Sequence, residues 1–188
     1  MQVKLINKPN IDMSDWAIGE CYDKGCYKDN DKKLNRINRV ANVSKHNSVL
    51  EFTEAIFEIT ASTKVLLEMT RHRQASYACK SSRYTLNKGE VVFESTGDKK
   101  VDEILKSLLL NIKVMIAYGK PNDVVSLMLP QAYQYRWVAK FNYRSLQNFL
   151  QLRTDKHAHF HIREVAYAMY ECLPDEHKFL FKDFVRAK

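Results

Sequence analysis

Apolar residues recur every three or four positions in several parts of the chain, which is the spacing of one face of a helix. The longest such segment runs from Val101 to Ala117 and stops before Gly119, and we expect it to form a core helix. The same spacing predicts helices from Leu34 to before Ser44, from Thr63 toward Arg71, over a short stretch from Asn122 to Pro130, from Asn142 to a break at Thr154, and from there to Cys172.

Alternating apolar and polar residues, the pattern of a strand with one buried face, mark other segments. Residues 54–60 alternate in this way, and Val91–Phe93 indicates another strand. Along residues 133–141 the alternating positions are mostly aromatic, so this stripe is either the core face of a sheet or a platform for stacking nucleic-acid bases. Its period of two favours the core face. Residues 1–30 have no clear period, and we expect a short N-terminal strand and a loop there.

Strands and helices are mixed along the 188 residues without a repeat or linker, which predicts one α/β-type (α+β) domain over residues 1–188. No apolar run approaches the roughly 18 residues that a membrane span needs, and the N-terminus lacks the layout of a secretion signal. We therefore expect a cytoplasmic protein. The four cysteines form no CxxC pair, so we expect free thiols and no metal site.

The chain is basic, with a formal net charge of +8 and a pI near 9.2. Such an excess favours polyanionic partners, namely nucleic acid, an anionic membrane surface or phosphorylated small molecules. It equally suits a protein that only needs to stay soluble. Charge alone leaves these alternatives open.

The segment from Arg71 to Tyr84 is the part of the chain richest in candidate chemistry. It holds three arginines, one lysine, one histidine, three serines and two tyrosines, and it contains no acidic residue. Guanidinium groups and hydroxyls together supply many hydrogen-bond donors for phosphate oxygens. We therefore favour an anion site here over a solvated surface loop.

Three motifs resemble those of the flavin-dependent thymidylate synthases, in the order and at the spacing of that family. Arg71-His72-Arg73, seven further residues and Ser81 are similar to its RHR-x7-S signature. The segment Asn142–Arg153, with Leu129-Pro130 before it and His157 after it, resembles its NxRSLxNFLxLR block, and the segment 46–51 resembles its H-E-S/T-P-x-E segment. The residues around these motifs resemble those of the short epsilon-proteobacterial branch of the family.

The resemblance implies a twisted, mainly antiparallel sheet flanked by helices, and a homotetramer whose active sites combine residues of several subunits. It implies reductive methylation of dUMP to dTMP, in which methylenetetrahydrofolate donates the carbon and NADPH supplies hydride through FAD. No protein nucleophile is required in this family, so the protein binds and aligns anionic ligands. Nucleic acid and membranes are not expected partners.

The resemblance also assigns residues to roles. Arg153 and Ser81 are the expected catalytic residues, Arg153 by orienting dUMP between the pyrimidine and the flavin. The residues expected to contact FAD or folate are His46, Ser48, Arg71, His72, Arg73, Asn142, Arg144, Asn148 and His157. The residues expected to contact dUMP are Glu68, Arg71, Cys79, Ser81, Ser82, Arg83 and Arg153. His157 equally fits a histidine-rich solvent face with His159 and His161, whose alternate spacing does not converge on one metal ion.

Four positions depart from the commonest family pattern, namely Glu68, Ala78, Cys79 and Ser126. Similar departures accompany the same activity in the epsilon-proteobacterial branch, so we interpret them as features of that branch. Glu68 also allows a related enzyme that acts on another base, such as dCMP, or that transfers a hydroxymethyl group. A basic nucleic-acid-binding module is the remaining alternative.

Overall fold

The computed structural model describes residues 1–187 and contains four strands and nine α-helices among them. The strands are β1 (Gln2–Leu5), β2 (Glu54–Ser62), β3 (Ser76–Cys79) and β4 (Gln134–Asn142). The helices are α1 (Asp12–Cys21), α2 (Asn30–Asn38), α3 (Thr63–Met69), α4 (Ser82–Thr85), α5 (Lys99–Ala117), α6 (Asn122–Val125), α7 (Tyr143–Arg153), α8 (Phe160–Glu171) and α9 (Asp175–Lys178). A π-helical turn (Arg39–Val43) and 3-10 helices (Asn47–Phe52, Leu86–Lys88, Ser126–Met128, Lys182–Phe184) complete the regular structure.

The four strands form one sheet in the order β1-β2-β4-β3. Strands β2 and β4 are antiparallel, because backbone hydrogen bonds join Tyr143 to Thr53 at one end and Thr63 to Tyr133 at the other. No helix in residues 1–187 is both long and apolar enough to cross a membrane.

The chain divides into two compact units, and β2 and β4 contribute residues to both. Unit 1 contains Met1–Gln2, Ile59–Arg71 and Tyr77–Val138. Unit 2 contains Val3–Glu58, His72–Ser76 and the chain from Ala139 onward.

The predicted strands 54–60 and 133–141 are confirmed as β2 and β4. Trp137 and Phe141 are almost fully buried, as is Tyr133 just before β4. The aromatic stripe is therefore a core face, as its period favoured, and its buried rings form no platform for bases. The helices predicted near residues 34, 63, 101, 122 and 142 are also present. The last predicted helix is present as α8, but it begins at Phe160 rather than directly after Thr154.

The prediction of a strand over Val91–Phe93 is wrong in extent. Only one isolated antiparallel bridge forms there, between Phe93 and Tyr133. The short strand β3, which the sequence did not predict, pairs with β4 farther along, where the Lys80 amide donates to the Arg136 carbonyl. Because β3 is the neighbour of β4 in the sheet, the segment 91–93 pairs only where β4 begins, with Tyr133 and with Gln134, whose amide donates to the Val92 carbonyl.

The prediction that the first 30 residues hold only a strand and a loop misses helix α1. The buried face of α1 contains Ser14, Asp15 and Gly19 beside Ile18, so it lacks the apolar period of an amphipathic helix. Hydrogen bonds with polar partners satisfy the buried polar side chains of this face. The Ser14 hydroxyl lies 2.6 Å from that of Thr53, and the Asp15 carboxylate binds the guanidinium of Arg36.

Gly19 lies where the loop after α1 folds back, and we expect Gly19→Ala to destabilise the fold. A Cβ at this position would overlap the carbonyl oxygen of Lys24, whose amide donates to the Gly19 carbonyl at 2.9 Å. A backbone atom yields less easily than a side-chain tip, so the expected loss is about 1–3 kcal/mol of unfolding free energy. Denaturant unfolding measures it. Gly25→Ala is the matched control, since its Cβ would meet nothing within 4 Å, and equal losses in both variants would contradict this account.

The prediction that residues 101–117 form a helix is confirmed, and its assignment to the core holds for one face. On that face Ile112 belongs to a buried hydrophobic cluster, against which Leu108, Leu109, Met115 and Ile116 pack. Only Ile112 of α5 is fully buried, whereas Ile104 is 70% exposed and Leu110 is 64% exposed. Periodicity shows that a helix has an apolar face without showing what covers that face. An apolar surface of this kind on a single chain is typical of a contact with another chain.

Unfolding free energy should fall when the pH is lowered from about 7.5 to 5.5. Burial lowers the pKa of His177, which shares a 2.6 Å hydrogen bond with the Tyr143 hydroxyl, and burial also lowers the pKa of His72. The unfolded chain then takes up protons before the folded one, so stability is lost as the pH falls through the ordinary histidine pKa of about 6.5. Denaturant unfolding at the two pH values measures the slope. His177→Gln should reduce it and His161→Gln should not, and a stability that rises on acidification would contradict the prediction.

Candidate functional site

The junction of β4 and α7 positions several predicted site residues of unit 2. Asn142 ends β4 and caps α7, since its side-chain oxygen accepts a 2.8 Å hydrogen bond from the Ser145 amide. The cap begins α7 at Tyr143, and the helix then places Arg144 and Asn148 one turn apart. Arg153 is its last residue, half-buried at the other end of the helix.

His72 packs against the start and the middle of this element. Its ring centroid lies 5.6 Å from those of Phe141 and Phe149, and its Nε2 lies 2.7 Å from the Ser145 hydroxyl. Burial, and then the positive charge of Arg153, lower the pKa of His72 below its ordinary value. The structure thus places His72 against α7, beside Ser145 and within electrostatic reach of Arg153, and at neutral pH the imidazole is predominantly uncharged.

A polar cavity of about 450 Å³ opens beside this junction within unit 2. It is lined by Glu51, Glu54, Arg73, Gln74, Ala75, Ser76, Lys140 and Asn142. Both carboxylates have cationic partners, because Arg144 lies 2.6 Å from Glu51 and Lys140 lies 2.8 Å from Glu54. Arg73 has no carboxylate partner among residues 1–187, so its guanidinium is available to a ligand.

The outer face of α7 is exposed and polar. Arg144 and Asn148 both lie on it, as their spacing of four predicts. Arg144 contacts the 3-10 helix Asn47–Phe52 through its ion pair with Glu51. Glu51 lies within one of the three motifs, but no role for it, for Glu54 or for Lys140 was predicted, because ion pairs between residues distant in sequence form only on folding.

Three further residues predicted to contact flavin or folate lie on exposed surface. His46 precedes the 3-10 helix that packs against α7, and Ser48 lies within that helix. The side chain of His157 is 82% exposed and lies 2.9 Å from the Asp155 carboxylate. Within unit 2 the polar cavity is not lined by any of these three side chains.

In unit 1, the predicted dUMP phosphate site lies at the end of β3 and the start of α4. Ser81 precedes α4 and is exposed, Ser82 is half-buried, and Arg83 is exposed. The Arg83 guanidinium lies 3.1 Å from the carboxylate of Asp123. The structure brings these three donors together within one helical turn, and a phosphate bound by Arg83 would compete with Asp123.

Glu68 is the centre of an ion-pair cluster in unit 1. Its carboxylate lies 3.1 Å from the ammonium of Lys64 and 3.6 Å from the guanidinium of Arg71. Glu68 therefore orients Arg71, which is otherwise largely exposed. Cys79 is a free thiol at the end of β3, and partial burial raises its pKa, so it is predominantly protonated at neutral pH.

Metal ligation finds no support in the described part of the chain. No group of three His, Cys, Asp or Glu side chains within residues 1–187 is arranged to hold a metal ion. The ring centroids of His159 and His161 lie 5.6 Å apart. Nδ1 of His159 accepts the backbone N–H of His161 and so caps α8.

Residues 10–177 match the family model described as "Thymidylate synthase complementing protein". The match spans most of the chain and includes all three motifs. The chain belongs to this family.

Relatives with assigned names refine this result. The flavin-dependent thymidylate synthase of Campylobacter jejuni strain RM1221 is 35% identical, covering 97% of this chain and 96% of its own length. That of Helicobacter pylori strain J99 is 32% identical, covering 99% of this chain and all of its own length. Both organisms are epsilon-proteobacteria, so the predicted resemblance to that branch is confirmed.

A crystal structure of thymidylate synthase X from Helicobacter pylori with FAD and dUMP superposes on this chain with a TM-score of 0.91. The two are 31% identical, and the match covers 100% of each chain. The predicted fold class, helices with a mainly antiparallel sheet, is confirmed.

Proposed function

We propose that this chain catalyses the reductive methylation of dUMP to dTMP, with FAD as cofactor and NADPH and methylenetetrahydrofolate as co-substrates. The observation that supports it most lies in unit 2, where Arg73 and Asn142 line one polar cavity and His72 packs against α7, the helix that Asn142 begins and Arg153 ends. These residues come from two motifs about 70 positions apart in the sequence. Membership of the family and the names of the relatives support the same activity.

The residues of unit 2 fit a cofactor that carries a diphosphate. Arg73 supplies an unpaired guanidinium at the cavity, and the Asn142 side chain supplies an amide. When bound, FAD supplies the redox chemistry of the reaction. Arg73, Asn142, Arg144 and Asn148 would hold it, and the uncharged ring of His72 would lie against it. Glu51 keeps Arg144 oriented, and His46, Ser48 and His157 complete the proposed set.

The residues of unit 1 fit a nucleoside monophosphate. Ser81 and Ser82 offer hydroxyl donors, and Arg83 offers a guanidinium that can bind phosphate through two parallel hydrogen bonds. Arg71 is held by Glu68 and would add a further cation. We infer that Arg153 orients the pyrimidine, while Glu68 and Cys79 border the dUMP site.

We further propose that the chain is a single domain that assembles into a cytoplasmic homotetramer with shared active sites. The exposed apolar face of α5 supports assembly, since residues such as Ile104 and Leu110 would be buried by another copy. The buried aromatic stripe of β4 removes the main feature that favoured a nucleic-acid-binding module.

Product analysis tests this function. The purified protein is incubated with FAD, NADPH and methylenetetrahydrofolate, together with either dUMP or dCMP, and the nucleotides are separated by mass. We expect dTMP from dUMP, with a mass gain of one methylene group, and no methylated product from dCMP. Product from dCMP alone, or a hydroxymethylated product from dUMP, would establish the related enzyme instead. The absence of any product with flavin bound would contradict the proposal.

A further inference from the structure

The hydroxyl of Ser145 has two partners, and their chemistry determines its orientation. Its oxygen lies 2.5 Å from the carbonyl oxygen of Gln74 and 2.7 Å from Nε2 of His72. A carbonyl oxygen can only accept, so the single hydroxyl proton of Ser145 points to Gln74. A lone pair of the Ser145 oxygen therefore faces His72, and a hydrogen bond forms there only if Nε2 carries a proton.

We propose that Ser145 is a positioning residue that fixes His72 in the tautomer protonated on Nε2. Nδ1 is then unprotonated, so toward a ligand it can only accept a hydrogen bond. The inference rests on the proposed function only for the identity of the ligand. The group recognised would be a hydrogen-bond donor of the flavin, an N–H or a ribityl hydroxyl, rather than a phosphate.

The surroundings of His72 also keep the ring uncharged. Among the groups that contact it are the rings of Phe141 and Phe149 and the Ser145 hydroxyl, and the cationic Arg153 lies within electrostatic reach. Two apolar rings and a nearby positive charge all disfavour imidazolium. An uncharged ring with Nε2 protonated can accept at Nδ1 only, whereas imidazolium would donate at both nitrogens.

The contact of the Ser145 side chain with His72 can be removed without disturbing the cap of α7. The cap of α7 uses the backbone amide of Ser145, which any residue except proline keeps. Ser145→Ala thus removes only the hydroxyl, while Ser145→Thr retains it. Ser107, an exposed serine of α5, provides a matched Ser→Ala control.

The test is ¹⁵N NMR of protein labelled in its histidine rings, with the His72 signals assigned by their loss in His72→Gln. At pH 7.5 we expect Nε2 to show the shift of a protonated nitrogen and Nδ1 that of an unprotonated one. The opposite tautomer, or a cationic ring, would overturn the proposal. This readout needs neither flavin nor turnover, so a protein that failed to bind FAD would count against the proposed function alone.

Flavin titrations of the variants extend the test to the ligand. In Ser145→Ala we expect the two His72 nitrogens to shift toward averaged values and the Kd for FAD to rise about tenfold, as one lost hydrogen bond to a buried group implies. Ser145→Thr should restore the wild-type ring shifts and affinity, and Ser107→Ala should change neither. Wild-type ring shifts in Ser145→Ala would show that Ser145 does not select the tautomer.

Discussion

Arg153→Ala should lower the rate of dTMP formation by at least about 100-fold while the protein stays folded. Arg153 ends α7 beside His72, and in the proposed function it orients the pyrimidine of dUMP. Misplacement of reactants by about 1 Å can cost two orders of magnitude in rate. The side chain is only half-buried, so its loss should change unfolding free energy by no more than about 1 kcal/mol. Single-turnover formation of dTMP and thermal unfolding measure the two effects.

Arg153→Ala should also change the pKa of His72. Removing the cation should raise the pKa of His72 toward its ordinary value, which an NMR titration of the ring detects. Arg153→Lys should keep the low pKa of His72 but lose most of the activity, since an ammonium lacks the planar fork of a guanidinium. Arg163→Ala on α8 is the control for loss of an arginine elsewhere. Wild-type turnover in Arg153→Ala would remove Arg153 from the site.

Asp15→Ala should lower the unfolding free energy by about 3–5 kcal/mol, the cost of leaving a buried charge without its partner. Asp15 is fully buried, and its carboxylate accepts hydrogen bonds from Nε of Arg36 at 2.7 Å and from the amide of Tyr27 at 2.8 Å. Its Oδ2 lies 2.7 Å from a second nitrogen of Arg36, whose guanidinium also lies over the Tyr27 ring. The substitution therefore leaves Arg36 without its carboxylate partner. It also removes the hydrogen bond that holds Tyr27, in the loop after α1.

Paired variants show whether the stranded charge causes this loss. Asp15→Leu combined with Arg36→Met removes both charges and should lose less stability than Asp15→Ala alone. Glu171→Gln breaks an exposed ion pair with Lys178 and should leave the denaturation midpoint unchanged within error. If Asp15→Ala were as stable as Glu171→Gln, the buried pair would have no role in holding α1 and α2 together.

The elements whose apolar residues are regularly spaced could be predicted from the sequence. Strands β2 and β4 alternate cleanly because one face of each is buried, and α5 and α7 show helical spacing. Helix α1 escapes prediction because its buried face is closed by polar partners distant in sequence. Strand β3 escapes because it is a short, largely exposed strand without an apolar face.

The site could be predicted only where a motif identified it. Arg73 and Asn142 were expected from their motifs, and both line the same cavity. Ser145 lies within a motif, but its contact with His72 joins residues 73 positions apart, which no local pattern reveals. The ion pairs of Glu51 and Glu54 are likewise products of folding.

The most direct test of the proposed activity is the visible absorption spectrum of the purified protein with FAD, titrated with dUMP and then treated with NADPH without oxygen. The account predicts a bound, oxidised flavin spectrum that dUMP perturbs and that NADPH bleaches, because the nucleotide and the reductant both reach the flavin. A folded protein that leaves the spectrum of free FAD unchanged at every dUMP concentration would contradict it.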